Sequence, residues 1–412
     1  MRQLWWAVYD VGGAYLQAIV CLFGTHCWQT AVNSWRWTSE PVWHDMMGRD
    51  IRVLVVDDSA VVRSIIADSI ADSPGMTVVG KAADGRQALE ILDSAKPDVI
   101  TLDIQMPNMD GLATLEAILA RRPTPVIMVS SLTKLGAGIT LDALDRGALD
   151  YLAKPDYGAK TKTALRDELP RKIRSAAGTD VCRILRIRQD RKQRRSEQAE
   201  EKPATRKVSA AGPVELAGKC IAIGISTGGP PALARLFEAL RPPMPPIVVV
   251  QHMPPSFTKP LAWRLDSLSE LSIEEAAHGD PLKPNHVLIA PGGSHLQVRR
   301  LGASSKAVVR DGPPVSGHKP SVDVLMQSVA KEFGGDCLGV IMTGMGRDGS
   351  DGCGAIRGKG GYVLGQDEST SDVYGMNKVA YVEGNIDRQF ALDDAATVIT
   401  LHVRSRWAAA SV

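Results

Sequence analysis

From residue 51 onward, short unbroken apolar runs alternate with segments whose apolar residues recur every three or four positions. Ile51–Val56 (IRVLVV) is such a run. A parallel strand covered by helices on both faces reads this way, because neither face needs polar residues. Ser59–Asp72 then carries helical spacing. Strands are predicted at Met76–Gly80, Asp98–Leu102, Pro125–Val129 and Leu149–Ala153, and a last helix over Lys160–Arg174. Five strands alternating with five helices predict a doubly wound α/β domain over 51–170.

A second α/β region opens at Lys219–Ile225 (KCIAIGI). Further strands are predicted at Ile247–Val250, Val287–Ala290, Ala307–Arg310 and Cys337–Thr343. Helices are predicted over Pro230–Leu240, Ser321–Glu332, Gly349–Gly358 and the tail from Ala391. This predicts a catalytic-sized unit over 214–405 with a mostly parallel sheet. Between the two, residues 171–207 hold 13 Lys and Arg against 5 Asp and Glu. We read 171–213 as a solvated basic linker, helical at its start, with a basic patch for an acidic partner or nucleic acid as the sharper alternative.

Composition narrows the class. A 412-residue chain with 44% hydrophobic and 23% charged residues has room for two or three domains. Its formal charge of +2 gives no general reason to expect nucleic-acid binding. The six cysteines are scattered without a C-x-x-C pair, so reduced thiols in the cytoplasm are expected. The apolar stretch Val11–Gly24 is too short to span a bilayer, and no signal-peptidase-like site follows it. No membrane insertion is therefore expected. Six of the eight tryptophans fall in residues 1–43, a texture unlike the rest. Residues 1–46 are expected to be a non-matching extension, with translation starting at Met46 or Met47.

Several polar residues stand at the ends of the predicted strands of the first domain. Asp57 and Asp58 follow the first strand, Asp103 ends the third, Ser130 the fourth and Lys154 the fifth. The carboxyl ends of strands line the crevice of an open α/β sheet. Acids converging there need a hard cation such as Mg²⁺, and a carboxylate so held can accept a phosphoryl group. The motifs Val-Asp-Asp-Ser (56–59), Leu-Asp-Ile-Gln-Met-Pro (102–107), Asp-Gly (110–111) and Lys-Pro (154–155) resemble a response-regulator receiver domain, which has the flavodoxin-like fold. The resemblance implies that Asp103 accepts phosphate from a histidine kinase. It also implies that Asp57, Asp58, Asp103 and the Gln105 backbone carbonyl bind Mg²⁺. Ser130, Lys154 and Tyr151 would then form the phosphoryl switch.

In the second region Gly224-Ile225-Ser226-Thr227-Gly228-Gly229 joins a strand to a helix. A serine in such a turn exposes its hydroxyl beside helix N–H groups, and an anion-binding loop remains the alternative. His252 stands at the next strand end, and Asp348 lies in a glycine-rich loop after Cys337–Thr343. The order Ser…His…Asp differs from that of the α/β-hydrolases, although the roles can recur in any order. The segments GISTGGP, QHMPPSFT, IAPGGSH, HKPSVDVL and TGMGRDG resemble the catalytic domain of the chemotaxis protein-glutamate methylesterases, the CheB family.

That resemblance implies Ser226 as nucleophile, His252 as general base and Asp348 as its orienting acid. Thr227 and the Met345 backbone would line the oxyanion site. His295 is expected in the cleft, and the remaining histidines, His318 among them, outside the constellation. Arg347 replaces the family's usual Asn beside the acid, which puts local substrate preference in question; Asn377 replaces a usual proline without evident consequence. The implied activity is phosphorylation-activated demethylation of chemoreceptor glutamates, with glutamine deamidation by the same chemistry and no cofactor for the esterase step. A receiver-linked receptor-binding module without catalysis is the rival reading. A DNA-binding regulator is weaker, since no helix-turn-helix pattern follows the receiver.

Overall fold

The protein is described by a computed structural model covering residues 49–130, 134–154, 159–187, 189, 216–302, 304–407. The tryptophan-rich opening segment, the question of the start site and most of the basic linker lie outside these residues.

The first sheet holds β1 (Ile51–Val56), β2 (Met76–Ala82), β3 (Val99–Asp103), β4 (Val126–Ser130) and β5 (Asp150–Ala153). All pair in parallel in the order β2-β1-β3-β4-β5. The connecting helices are α1 (Ala60–Ala71), α2 (Gly85–Ala95), α3 (Gly111–Arg121) and α4 (Lys134–Arg146), and α5 (Ala159–Ala177) follows β5. Helix starts match local chemistry. Ser59, Asp84 and Asp110 each cap the next helix by accepting a backbone N–H with the side chain. Asp110-Gly111 tolerates no larger second residue, since a Cβ at 111 would lie 2.2 Å from the Asp103 carbonyl oxygen.

The second sheet is larger than the sequence pattern suggests. It contains β6 (Cys220–Ile225), β7 (Ile247–Gln251), β8 (Ser272–Glu275), β9 (His286–Ile289), β12 (Cys337–Ile341), β13 (Tyr362–Gln366) and β14 (Arg388–Phe390). Every pairing is parallel, in the order β14-β13-β12-β6-β7-β9-β8. A separate antiparallel hairpin joins β10 (His295–Leu301) to β11 (Ser304–Arg310), so the strand predicted at Ala307–Arg310 lies outside the main sheet. The helices are α6 (Gly229–Ala239), α7 (Pro255–Leu268), α8 (Val322–Phe333), α9 (Ser350–Gly358), α10 (Met376–Val382) and α11 (Ala395–His402). The central strands β6, β7 and β12 are buried along their whole length, which accounts for their unbroken apolar sequences.

The described residues from Arg49 onward form one compact unit, in which the two sheets' domains are in contact. Helix α5 runs three residues past its predicted end, and residues 181–187 are again helical. Among the described residues no helix is long and apolar enough to cross a membrane.

Candidate active site

The first sheet reverses its strand order once and the second near its centre at β6 and again at its β9-β8 edge; the chemistry sits at the first sheet's reversal and at the central one of the second. In the first sheet the switch lies between β1 and β3. Asp57 and Asp58 follow β1 and Asp103 ends β3, and carboxylate oxygens of the three lie within 4.8 Å of one another. Lys154, just beyond β5, reaches Asp103 Oδ2 at 2.7 Å and Asp57 Oδ2 at 3.0 Å. Burial pushes Asp57 up and Asp103 up to about 6, against the pull of Lys154. Burial alone would depress the Lys154 ammonium, but Asp103 and Asp57 outweigh it and raise it. Three acids against one ammonium leave a surplus of negative charge on oxygen donors, which suits a hard divalent cation. Ser130 is buried at the end of β4, where its carbonyl accepts the Lys154 N–H at 2.7 Å.

In the second sheet the central trio β12-β6-β7 carries the three implied catalytic groups at its carboxyl edge. Ser226 follows β6, His252 follows β7 and Asp348 lies seven residues beyond β12. Glycine makes this convergence sterically feasible, for a Cβ at Gly344 would lie 2.7 Å from that of Ser226. The Ser226 backbone is fixed by its N–H donating to Thr343 O and by Gln251 Nε2 donating to Ser226 O.

His252 Nε2 meets Asp348 Oδ2 at 2.8 Å. The other ring nitrogen, Nδ1, is buried and has no hydrogen-bond partner among the described residues. Asp348 is fully buried and also accepts from Ser321 Oγ, Val322 N and Asp323 N. Burial opposes its charge, but the His252 contact and the donors at Val322 and Ser321 overcome that cost and hold the carboxyl far below the ordinary range. No hydrogen bond joins Ser226 to His252 here, so the structure pairs His252 with Asp348 and leaves the Ser226 hydroxyl on the adjacent strand end.

The remaining site residues fall out differently. Thr227 Oγ1 donates to Asp150 Oδ2 of the first domain at 2.6 Å, and its carbonyl accepts from Thr343 Oγ1. Met345 is half-buried in the loop leading to Asp348. Tyr151 is buried with its ring 4.6 Å from that of Phe257 on α7, so the expected switch residue lies in the interdomain contact. His295 does not offer a free ring to the cleft: Nδ1 accepts Ser321 N–H, and Nε2 contacts Pro313 O at 2.9 Å. Arg347 is half-exposed and turned to Asp351 and Glu383, which already satisfy its charge. Asn377 is buried and donates to Gln366 O and Ser371 Oγ, tying together the loop that follows β13.

Two participants escaped sequence reasoning. His318 does not lie outside the constellation: its ring stacks on His252 with centroids 3.8 Å apart and planes within 5°. Asp323 accepts the N–H groups of Gly349 and Gly352, pinning the loop just after Asp348. Both lie in or beside HKPSVDVL, a segment recognisable in sequence but without spacing that assigns roles within it.

The comparisons with known proteins agree with this geometry. Residues 53–166 match the response regulator receiver domain, and residues 221–399 match the CheB methylesterase. A protein-glutamate methylesterase/protein-glutamine glutaminase of Syntrophotalea carbinolica is 43% identical over 351 residues, covering 85% of this chain and 97% of that protein. A namesake from Archaeoglobus fulgidus is 45% identical over 82% of this chain and 93% of its own length. Another from Treponema denticola is 42% identical over 85% and 97%. With a receiver sheet joined to a seven-stranded sheet that sets a His–Asp pair beside a strand-end serine, the chain belongs to the receiver-linked CheB methylesterase family.

Proposed function

We propose that the chain is a phosphorylation-activated serine hydrolase, acting in the cytoplasm on methylated glutamates of chemoreceptor cytoplasmic domains. The observation that carries this reading is the buried His252–Asp348 pair at the switch point, one strand from Ser226. In this reading Ser226 Oγ attacks the γ-carbonyl while His252 Nδ1 takes its proton. Asp348 holds the opposite nitrogen and offsets the imidazolium charge. Thr227 and the Met345 backbone stabilise the tetrahedral oxyanion. His252 returns the proton to methoxide, methanol leaves, and water releases glutamate from the acyl-enzyme by the same steps. A glutamine side chain follows the same route with ammonia as leaving group.

Asp57, Asp58, Asp103 and the Gln105 carbonyl would hold Mg²⁺ in the receiver, where the ion supplies charge neutralisation for phosphoryl transfer. Asp103 takes the phosphoryl group from a histidine kinase, and Ser130 and Lys154 report its arrival. Support for gating comes from β5, which ends beside Lys154 and begins with Asp150, the acid bonded to Thr227. With that contact made, the Thr227 hydroxyl is engaged by a receiver carboxylate instead of substrate. Drawing Lys154 toward a phosphoryl group would disturb it.

The test is methanol release from methylated receptor fragments, with and without a small phosphodonor and Mg²⁺. Ser226→Ala should abolish release in both conditions, and Asp103→Asn should keep the basal rate and lose the stimulation. Full release by Ser226→Ala would overturn the reading.

A further inference from the structure

His252 is anchored at one atom. Its Nε2 contact to Asp348 fixes where the ring is held, yet a single hydrogen bond leaves the ring free to turn about that line. For proton transfer the ring plane matters, because Nδ1 must point at the serine oxygen within hydrogen-bond reach. Among the described residues, Nδ1 has no partner to set that angle. What does set it is a flat surface: the His318 imidazole lies parallel to His252, 3.8 Å away and tilted by 5°.

The stacking ring is itself held rigidly. Val315 and His318 exchange two backbone hydrogen bonds, of 3.0 and 2.9 Å, across a two-residue turn. The turn residues Ser316 and Gly317 have φ of 52° and 78°, the paired positive values of a tight hairpin turn. Ser316 Oγ donates to Asp323 Oδ2, and Asp323 Oδ1 in turn accepts Gly349 and Gly352 N–H. The hairpin bearing His318 and the loop bearing Asp348 are therefore clamped to one carboxylate. The two groups that touch His252 are set relative to each other.

The charge environment of His318 suits this role. The groups that act on it are His252 beyond β7, Asp348 beyond β12, and Arg171 and Lys172 on α5. Burial, His252 and the two α5 cations outweigh Asp348 and lower its pKa to about 2. Both the burial and the surrounding cations favour the neutral form of His318, which offers His252 an uncharged π face. A neutral ring parallel to an imidazolium attracts it, whereas a second imidazolium at this distance would repel it.

We propose that His318 is a positioning residue for the esterase reaction: its ring, stacked on His252, holds the general base in the plane that presents Nδ1 to Ser226. It touches neither substrate nor the reacting oxygen, and acts through His252. The inference rests on the hydrolase reading above, so its test needs a readout that does not depend on turnover.

The experiment compares the full-length phosphodonor-activated protein with its His318→Ala, His318→Gln and His318→Phe variants. Methanol release gives kcat and KM, and proton NMR follows the strongly deshielded proton of the His252–Asp348 hydrogen bond. Misplacing a reacting group by about 1 Å costs on the order of 100-fold. Ala and Gln are accordingly expected to lose about 10- to 100-fold in kcat with KM within about twofold. Phe, flat but without ring nitrogens, should recover most of the loss and keep the NMR signal that Ala and Gln lose to exchange. If Ala does not fold, the contrast between Gln and Phe carries the same test. Wild-type kcat in Gln, or a Phe variant as impaired as Gln, would overturn the proposal. A wild-type protein that shows the NMR signal but releases no methanol would instead refute the hydrolase reading, and the signal in the variants would still decide the role of His318.

Discussion

Asp150 is buried at the start of β5, and its two carboxylate oxygens are committed in opposite directions. Oδ2 accepts the Thr227 hydroxyl at 2.6 Å, and Oδ1 accepts Lys172 Nζ at 2.7 Å. Replacing it by alanine deletes the hydrogen bond that, among the described residues, ties the receiver to Thr227 of the proposed oxyanion site. A hydrogen bond to a charged group contributes about 1.5–3 kcal/mol. If the closed arrangement dominates in the absence of phosphate, the open fraction should rise by about 10- to 150-fold, up to the ceiling set by full activation. Lys172 keeps a contact to Glu168 at 3.5 Å, which limits the damage within the receiver. The assay is methanol release without phosphodonor. Asp150→Ala should show a raised basal rate, little further stimulation and an unchanged Ser226-dependent maximum. Arg264 provides the scale. It pairs across the same interface with Asp142 and Asp145, but about a third of its side chain is exposed. Surface pairs of this kind contribute about 0–1 kcal/mol each, so losing both in Arg264→Ala should raise the basal rate by about 30-fold at most. A properly folded Asp150→Ala protein with the wild-type basal rate, or a smaller effect than Arg264→Ala, would refute the reasoning.

Asp348→Asn should lower kcat by about 10⁴-fold in methanol release while leaving receiver phosphorylation intact, because it removes the charge that holds and balances His252. Gly344→Ala should cost at least tenfold in kcat, since its Cβ would lie 2.7 Å from that of Ser226; a fully active variant would show that the strand end yields freely. Asp323 provides a pH test. Burial and the neighbouring Asp348 raise its carboxyl from 3.8 to about 6. A raised carboxyl favours the fold while protonated, so its contribution is present below about pH 4 and is lost as pH climbs through 6. Urea midpoints measured from pH 4 to 6 should therefore fall for the wild type relative to Asp323→Asn, and a constant difference would contradict the assignment.

Legibility in the sequence followed burial. β1, β3, β4, β6, β7 and β12 are central, so their apolar runs announce them, and the strand-end acids and Ser226 follow directly. β8 is an edge strand of four residues alternating exposed and buried, β14 has three residues, and β13 has a glycine second from its end, so none rises above loop texture. Helix α7 begins at Pro255 and contains Pro260, and such prolines read as breakers. The His252–Asp348 pair was legible because both residues stand in recognisable motifs after strands. His318 was not, because a stacking contact between two loops leaves no periodic trace. Asp150 was invisible for a different reason: its partner Thr227 belongs to another domain, and one acid at a strand start carries no sign of that.

The strand linking Lys154 to Asp150 has a wider implication. At about 3.3 Å per residue, β5 spans only some 13 Å, and it is locked to β4 along its length. On the gating proposed above, a displacement at one end would have no slack in which to dissipate, and the receiver would act on the esterase as a rigid lever with its load at Thr227. A chain whose residues 190–215 are exchanged for a flexible segment of equal length should keep its ratio of stimulated to basal methanol release, because the strand and its seat at Thr227 are unchanged.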